Sequence, residues 1–172
     1  MPNLADIKLL VMDVDGVLTD GSIIVNSDGS ETKSFSVLDG HGIRLWHRAG
    51  LKTALISGRL SEPTARRAQW LEIEHVFEDC HDKLPVLKDL LDKLGLSPRN
   101  VAYIGDDLPD LPVMRFAGFA AAVANAVDEV RQCAHYIASR PGGSGAVREV
   151  IEYILKTTGR WQELMKRYLA DS

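Results

Sequence analysis

Two carboxylates follow directly on an apolar run near the start of the chain. Residues 7–12 are apolar except for Lys8, and they lead into Asp13, Val14, Asp15 and Gly16. A strand ending in such a turn would place Asp13 at the carboxyl end of a sheet, where open α/β folds carry their chemistry. Alternation along the strand directs Asp13 and Asp15 to the same side, where the carboxylates repel each other unless a cation lies between them. Mg²⁺ prefers oxygen ligands and would relieve that repulsion, whereas a surface loop with two acidic residues is the alternative.

Other groups that could act on a phosphoryl ester follow three later apolar runs. Ser57 and Gly58 follow the second run, Lys83 comes after the third, and the fourth leads to Asp106, Asp107 and Asp110. A hydroxyl and backbone N–H groups can donate to phosphoryl oxygens, and a lysine adds positive charge. Taken singly, they could be a plain turn, a solvated charge and an ordinary acidic loop. Their position at four successive strand ends favours phosphoryl transfer, which depends mainly on positioning and charge neutralisation.

Strands and helices alternate along the rest of the chain, which predicts an α/β fold. Strands are expected at residues 7–12, 52–56, 74–77, 101–104, 119–123 and 136–138. Helices are expected at residues 39–49, 62–71, 82–94, 111–117, 127–134, 146–156 and 161–169. This alternation implies a doubly wound parallel sheet with helices on both faces. No internal repeat divides the 172 residues, so we expect one domain over 1–172 with a C-terminal helical tail at about 140–172.

A β-hairpin insert is predicted after the first strand, at about residues 17–38. Two β-favouring runs, 21–25 and 31–37, flank a turn at 26–30. An isolated two-stranded hairpin is marginal in water, and this one carries apolar side chains that need a partner: Ile23, Ile24, Val25, Phe35 and Val37. The hairpin could pack on its own domain or pair with hairpins of other subunits around a symmetry axis. The residues leave both arrangements open.

The composition is that of a globular protein without a general attraction to polyanions. Hydrophobic residues make up 45% of the chain, charged residues 26%, and the net charge is −4. Nucleic acid and anionic membranes are therefore not expected as partners. No apolar run approaches the roughly 18 residues of a membrane span and the first residues lack signal-peptide features, so a cytoplasmic location is expected. Cys80 and Cys133 form no metal-binding spacing and are interpreted as incidental thiols.

Four segments together resemble the motifs of the haloacid dehalogenase superfamily of phosphatases. They are Asp-Val-Asp-Gly-Val-Leu-Thr-Asp at 13–20, Ser-Gly-Arg at 57–59, Lys83, and Gly-Asp-Asp-x-x-Asp at 105–110. The hairpin and the stretches 39–44 and 140–149 make the chain similar to the subfamily of 3-deoxy-D-manno-octulosonate 8-phosphate phosphatases, which implies a place in lipopolysaccharide precursor synthesis. Ser36 and Leu38 stand where some relatives carry polar residues at the substrate edge.

The resemblance implies a Rossmann-like hydrolase fold and a role for each motif residue. Asp13 would be the nucleophile that forms an aspartyl-phosphate, and Asp15 would be the general acid and base. Lys83 would be a catalytic and phosphate-binding lysine. Mg²⁺ would be held by the carboxylates of Asp13 and Asp106 and by the backbone carbonyl of Asp15. Two further carboxylates would orient Lys83 and water, namely those of Asp107 and Asp110, although Asp110 could equally cap a helix.

The expected substrate is a small sugar acid phosphate. Its binding residues are expected to be Asp15, Ser57, Gly58, Arg59, Arg67, Lys83, Asp39, Gly40 and Arg44. Arg59 and Arg67 are eight residues apart at the start and in the body of one predicted helix, so they are expected on roughly the same face. Several arginines near the strand ends suggest a second anion besides the phosphate, because the guanidinium fork matches carboxylates; a solvated helix face is the alternative. In the subfamily, the residue matching Arg59 separates the eight-carbon ketoacid phosphate from a nine-carbon sialate-type relative, which has an acidic residue there. The eight-carbon substrate is therefore expected.

The resemblance also implies a homotetramer with hairpin-mediated contacts. The chain has no room for a separate lid domain, so a hairpin of one subunit, with the C-terminal tail as a second candidate, is expected to close the site of its neighbour. The alternatives are a phosphatase for a nine-carbon sugar acid phosphate or another small ester, a phospho-accepting signalling domain, and a silent binding subunit. A signalling domain would lack the acid two residues after its reactive aspartate, and the presence of every motif residue argues against a silent subunit.

Overall fold

A six-stranded parallel sheet forms the centre of the computed structural model, which describes residues 2–169. The strands are β1 (Leu9–Met12), β2 (Ile24–Val25), β3 (Glu31–Thr32), β4 (Lys52–Ile56), β5 (His75–Phe77), β6 (Val101–Gly105), β7 (Phe119–Ala122) and β8 (Tyr136–Ile137). The sheet order is β5-β4-β1-β6-β7-β8, and β2 pairs with β3 in a separate hairpin. The order reverses direction at β1, as in doubly wound folds. The predicted sheet and hairpin are confirmed.

Seven α-helices accompany the strands within the described residues. They are α1 (Val37–Arg48), α2 (Glu62–Trp70), α3 (Lys83–Leu94), α4 (Leu111–Phe116), α5 (Asp128–Cys133), α6 (Ala146–Thr157) and α7 (Arg160–Leu169). Helix α1 packs against α6, whereas α3, α4 and α5 contact one another in series. Predicted boundaries in the sheet and helices differ from these by at most two residues. Between residues 2 and 169, no helix has the length and apolar character needed to cross a membrane.

Strand β1 lies in the middle of the sheet and forms part of the hydrophobic core. All of its residues are buried, which explains why this run is continuously apolar rather than alternating. Leu9 lies opposite Lys52 of β4 and Val101 of β6. Trp46 of α1 is fully buried, and its indole N–H donates to the carbonyl of Lys52 over 2.8 Å. The first helix is thereby attached to the start of β4, and the carboxyl ends of β4, β1 and β6 remain at one edge.

The hairpin strands are shorter than the sequence predicts. Strands β2 and β3 have two residues each, and Val37 begins α1 instead of ending a strand. The reason is local, because the Ser36 hydroxyl accepts the N–H of Asp39 and so caps the helix. Strand β3 contacts α2, while Ile24 and Val25 of β2 are 48% and 70% exposed. The hairpin thus packs on its own domain through β3.

The glycine-rich loop before α6 closes against the turn that follows β1. A Cβ at Gly142 would overlap the carbonyl oxygen of Gly16, so only glycine permits this approach. Gly143 has a φ of 66° and its N–H donates to the carbonyl of Val17 over 3.0 Å. The side chain of Asn125 accepts the N–H of Gly142 at 2.9 Å. The C-terminal loop therefore supports the backbone of the first motif.

Candidate active site

A cavity of about 260 Å³ lies at the carboxyl ends of β1, β4 and β6. It is lined by Asp13, Asp15, Ser57, Gly58, Arg59, Cys80, His81, Lys83, Asp106, Asp107 and Pro109. Parallel strands bring their carboxyl ends to one edge, so residues far apart in sequence share this space. Most of the predicted site residues are brought together here. Cys80, His81 and Pro109 also line the cavity and were not among the predicted site residues.

A buried lysine joins two carboxylates at the base of the cavity. The ammonium of Lys83 lies 2.9 Å from Asp13 and 2.7 Å from Asp110, and only 4% of the residue is exposed. Burial lowers the pKa of Lys83, but the two carboxylates outweigh this effect and raise it above its ordinary value. Lys83 is therefore a permanent positive charge beside Asp13. The tyrosine hydroxyl of Tyr103 donates to Asp110 at 2.6 Å, and burial together with this carboxylate places the pKa of Tyr103 well above 10.

Three carboxylates converge where a cation was expected. One oxygen each from Asp13, Asp106 and Asp110 lies within 4.8 Å of the others. Burial, with repulsion from Asp110, raises the pKa of Asp13 to about 6. Burial, with repulsion from Asp13, raises the pKa of Asp106 to about 8. Oxygen Oδ1 of Asp106 is buried and finds no hydrogen-bond partner among the described residues. Burial and mutual repulsion favour the protonated forms of these clustered carboxylates. A hard divalent cation, which binds oxygen ligands, would neutralise their charge and is therefore compatible with this site.

Asp110 is engaged differently from the other two acids. Its Oδ1 accepts from Lys83 and Tyr103, and its Oδ2 accepts the N–H groups of Asp106 at 2.9 Å and Asp107 at 3.3 Å. With both oxygens engaged, Asp110 orients Lys83 and the backbone around Asp106. The carboxylate of Asp107 instead accepts the N–H of Leu108 at 2.7 Å and caps the short turn Leu108–Asp110. Asp107 borders the cavity, but its carboxylate contacts neither Lys83 nor Asp13.

A glycine in the first motif allows these acids to approach one another. Gly16 has a φ of 91°, and a Cβ at this position would collide with the carboxylate of Asp106. The backbone of the turn can therefore lie directly against the acidic loop after β6. This close approach is the physical reason for a glycine immediately after Asp15.

Asp15 is paired with a lysine that the sequence analysis did not consider. Lys33 follows β3, its side chain has no exposed surface, and its ammonium lies 2.6 Å from Oδ1 of Asp15. Glu31 lies 3.6 Å from Lys33 and also 3.6 Å from the guanidinium of Arg59. Inward and exposed positions alternate along residues 31–35, with Glu31, Lys33 and Phe35 on the inward side. This alternation is the feature of the sequence that could have predicted an inward position for Lys33. The sequence-based interpretation of the hairpin considered only its apolar residues and therefore did not include Lys33.

The loop after β4 lines the opposite wall of the cavity. Ser57 is buried, and its hydroxyl accepts the N–H of Arg59 over 3.3 Å, which leaves its own proton free to donate. Nitrogen NH1 of Arg59 is buried without a hydrogen-bond partner among the described residues. The thiol of Cys80 lies nearby, but burial and Asp79 raise its pKa, so the thiolate is disfavoured. Both cysteines are free thiols.

Four predicted substrate-binding residues lie away from this cavity. Asp39 is buried, and its carboxylate accepts the N–H groups of Gly145 and Arg148 at 3.1 and 2.8 Å, which caps α6. The remaining three are Gly40, Arg44 and Arg67, which border a separate depression beside α1 and α2.

The two arginines of that depression bond to backbone carbonyls. The guanidinium of Arg67 donates to the carbonyl of Ser36, and that of Arg44 donates to the carbonyl of Trp70. Arg59 precedes α2 instead of forming one helical face with Arg67. Of the three predicted arginines, the structure brings only Arg59 to the cavity at the carboxyl ends of the strands.

Comparison with known proteins agrees with this geometry. The model of haloacid dehalogenase-like hydrolases matches residues 66–151. The chain is 42% identical to the 3-deoxy-D-manno-octulosonate 8-phosphate phosphatase KdsC of Escherichia coli strain B over 95% of this chain and 87% of that protein. The chain belongs to the haloacid dehalogenase-like hydrolases.

Solved structures of the same family superpose on nearly the whole chain. A probable YrbI family phosphatase from Pseudomonas syringae has 50% identity and a TM-score of 0.96, with 98% of this chain and 96% of that chain covered. The 3-deoxy-D-manno-octulosonate 8-phosphate phosphatase of Moraxella catarrhalis, solved with a magnesium ion, a phosphate ion and KDO, has 45% identity and a TM-score of 0.94. Coverage in that comparison is 96% of this chain and 95% of the other.

Proposed function

We propose that this chain is a Mg²⁺-dependent phosphatase that hydrolyses 3-deoxy-D-manno-octulosonate 8-phosphate to the free sugar acid and phosphate, in lipopolysaccharide precursor synthesis. The observation that carries the proposal is that buried Asp13 and Lys83 lie together with half-buried Asp106 at the carboxyl ends of β1 and β6. Similarity to phosphatases of this substrate over most of the chain supports the choice of sugar. The reaction breaks a phosphate monoester bond, so the chain would be a phosphoric monoester hydrolase.

In the proposed mechanism Asp13 and Asp15 divide the chemistry between them. A carboxylate oxygen of Asp13 attacks phosphorus and the bond between phosphorus and the sugar oxygen breaks, while protonated Asp15 gives its proton to the leaving oxygen. Water then attacks the aspartyl-phosphate as Asp15 takes back a proton, and the bond between phosphorus and Asp13 breaks. Phosphate is released, Asp13 is restored as a carboxylate and Asp15 is restored in its protonated form. Lys83 neutralises charge beside Asp13 in both steps.

The acidic cluster supports a Mg²⁺ site formed by three groups. They would be the carboxylates of Asp13 and Asp106 and the backbone carbonyl of Asp15, because both oxygens of Asp110 are already engaged. The bound ion would supply charge neutralisation for the phosphoryl oxygens. This chain's own contribution is to hold the acids close together in a partly closed cavity.

The opposite wall supports recognition of the substrate anion. Ser57 and Gly58 line the cavity, so we expect the Ser57 hydroxyl and the backbone N–H groups near Gly58 to donate to phosphoryl oxygens. The unpartnered NH1 of Arg59 is buried beside the same cavity and can receive the sugar carboxylate, since a guanidinium matches that group. A nine-carbon sugar acid phosphate remains the second candidate, and Arg59 is the residue that disfavours it.

Exposed apolar residues support the proposed homotetramer. Side chains that are large, apolar and exposed are found on the hairpin, at the start of α1 and around α2: Ile23, Ile24, Val25, Val37, Leu38, Leu60 and Trp70. A surface of this kind is typical of a protein interface. Sedimentation of the purified chain and of Val25→Asp should give a tetramer and a smaller species respectively. A fully active wild-type monomer would refute the expected covering of one site by the hairpin of a neighbour.

Phosphate release from a panel of esters tests the proposed function. The purified chain is incubated with Mg²⁺ and each of the eight-carbon ketoacid phosphate, a nine-carbon sugar acid phosphate, a hexose phosphate and an aryl phosphate. We expect the highest kcat/KM for the eight-carbon substrate and no turnover by Asp13→Asn. Preference for another ester would overturn the substrate assignment, and activity retained in Asp13→Asn would overturn the mechanism.

A further inference from the structure

Lys33 is a buried charge that the proposed mechanism does not use. The side chain has no exposed surface, although lysine is almost always solvated. Its ammonium lies 2.6 Å from Asp15, 3.4 Å from the hydroxyl of Thr64 and 3.6 Å from Glu31. Burial of an ammonium is strongly unfavourable unless carboxylates compensate it, and here two carboxylates do so. The chain therefore encloses this lysine in a set of polar partners.

Lys33 is absent from the lining of the catalytic cavity. That cavity is lined by Asp15 but not by Lys33, which instead borders the groove between the hairpin and α2. Lys83 already supplies a positive charge beside the nucleophile. Because Lys33 borders the groove between the hairpin and α2 and not the catalytic cavity, its ammonium can interact with Asp15 but is not positioned to bind the phosphate.

The contact with Asp15 is made through one oxygen only. Oδ1 of Asp15 bonds to Lys33, and Oδ2 is buried without a hydrogen-bond partner among the described residues. A carboxylate that exchanges a proton with substrate must lie within hydrogen-bond reach of the reacting oxygen. Holding one oxygen restricts rotation of the carboxylate and leaves the second oxygen available.

We infer that Lys33 is a positioning residue, which holds Asp15 through Oδ1 so that Oδ2 is aimed at the reacting oxygen for proton transfer. The inference rests on the proposed role of Asp15. It assigns to the hairpin a part in the chemistry of its own subunit, in addition to any contact with other subunits. Without Lys33, Asp15 is present but no longer oriented, and displacement of a catalytic group by about 1 Å can lower a rate about 100-fold.

An aryl phosphate separates the two chemical steps that Asp15 serves. The p-nitrophenolate ion leaves without needing a proton, so its release reports attack by Asp13 alone. Release of inorganic phosphate reports attack by water, which needs Asp15 as a base. Single-turnover mixing of Mg²⁺-loaded enzyme with p-nitrophenyl phosphate, with both products followed in time, measures each step.

For Lys33→Met we expect p-nitrophenolate release within about threefold of wild type and phosphate release slower by about 10- to 100-fold. The arginine variant Lys33→Arg should recover most of the lost rate, because it keeps a charged donor. Lys8→Met, an exposed lysine before β1, is the matched control and should behave as wild type. Thermal midpoints of all variants are measured in parallel, and Lys33→Gln replaces Lys33→Met if the latter does not fold.

A double-mutant cycle with Asp15→Asn decides whether Lys33 acts through Asp15. If it does, the double variant loses no more phosphate-release rate than Asp15→Asn alone. Losses that multiply would show independent action and overturn the inference, as would an equal slowing of both products with a raised KM, which is the signature of a phosphate-binding charge. Unchanged phosphate release in Lys33→Met would overturn it as well.

The experiments distinguish failure of the substrate assignment from failure of the inference about Lys33. A wild-type enzyme that hydrolyses the aryl phosphate but not the eight-carbon sugar acid phosphate would refute the substrate assignment, and the cycle would still test Lys33. A wild-type chain without either activity would overturn both.

Discussion

Mg²⁺ binding should release protons, because the carboxylates that would hold the ion are partly protonated in the free protein. Burial and mutual repulsion raise the pKa of Asp106 to about 8 and that of Asp13 to about 6. At pH 7 the first group is mostly protonated and the second mostly ionised. Full ionisation on binding would then release about one proton per ion at pH 7, about two at pH 5 and about 0.1 at pH 9. Because the acids titrate as a cluster, the count belongs to the group as a whole.

Titration calorimetry in buffers of different ionisation enthalpy measures this release directly. Since the slope of log Kd against pH equals the number of protons released, the Kd for Mg²⁺ should fall about tenfold per pH unit near pH 7 and level off above about pH 9. Asp89→Asn, which removes an exposed carboxylate on α3, is the control and should leave the proton count unchanged. A count near zero at pH 7 would show that both acids are already ionised, and would refute the account of burial and repulsion.

The same shifts make the stability of the Mg²⁺-free protein depend on pH. Both carboxyl groups have a higher pKa in the folded chain than the ordinary 3.8, so the folded state binds more protons than the unfolded state. The resulting stability is complete below about pH 4 and is lost as pH rises through 6 and 8. The thermal midpoint without Mg²⁺ should therefore fall over this range, and Asp106→Asn should remove the upper part of the fall. A midpoint that stays level in the wild type would contradict the prediction.

Three further substitutions test other parts of the structure. Asp39→Ala should lower the free energy of unfolding in urea by about 1–3 kcal/mol, because two buried N–H groups lose their acceptor; a large loss of turnover without loss of stability would instead indicate substrate contact. Gly142→Ala should lower both the thermal midpoint and the affinity for Mg²⁺, because its Cβ would displace the turn at Gly16; unchanged values would contradict the packing. Arg59→Glu should reduce kcat/KM for the sugar acid phosphate at least about 10-fold more than for an aryl phosphate, because it reverses the charge that would face the carboxylate; equal losses would discredit Arg59 as a specificity residue.

The sheet and its catalytic edge could be predicted because both follow from the order of elements. Alternating strands and helices leave few topologies, and a parallel sheet collects the carboxyl ends of its strands. Asp13, Ser57 and Asp106 each follow a buried strand directly, so their convergence required no knowledge of side-chain packing. Lys83 required one more element, since it begins α3 after the loop that follows β5.

The positions of Asp39 and Arg67 could not be predicted, because their surroundings depend on packing between helices. Asp39 lies in the first turn of α1, and only the approach of α6 makes its carboxylate a cap for Gly145 and Arg148. Arg67 was expected beside Arg59 because of spacing, but α2 begins after Arg59 and directs Arg67 to Ser36. Charge and spacing along the chain carry no information on which helix will face which.

The hairpin illustrates how the site and the local structure specify each other. Glu31 of β3 and Lys33, which directly follows β3, lie two residues apart on the same inward side of the hairpin. Each faces an opposite charge, on Arg59 and Asp15 respectively. A slip of one residue in the pairing of β3 would turn both side chains outward and bring Thr32 inward, so both ion pairs would be lost together. Strands of two residues supply little apolar contact of their own. The ion pairs therefore contribute to the register of the hairpin, and the same register determines where Asp15 is held.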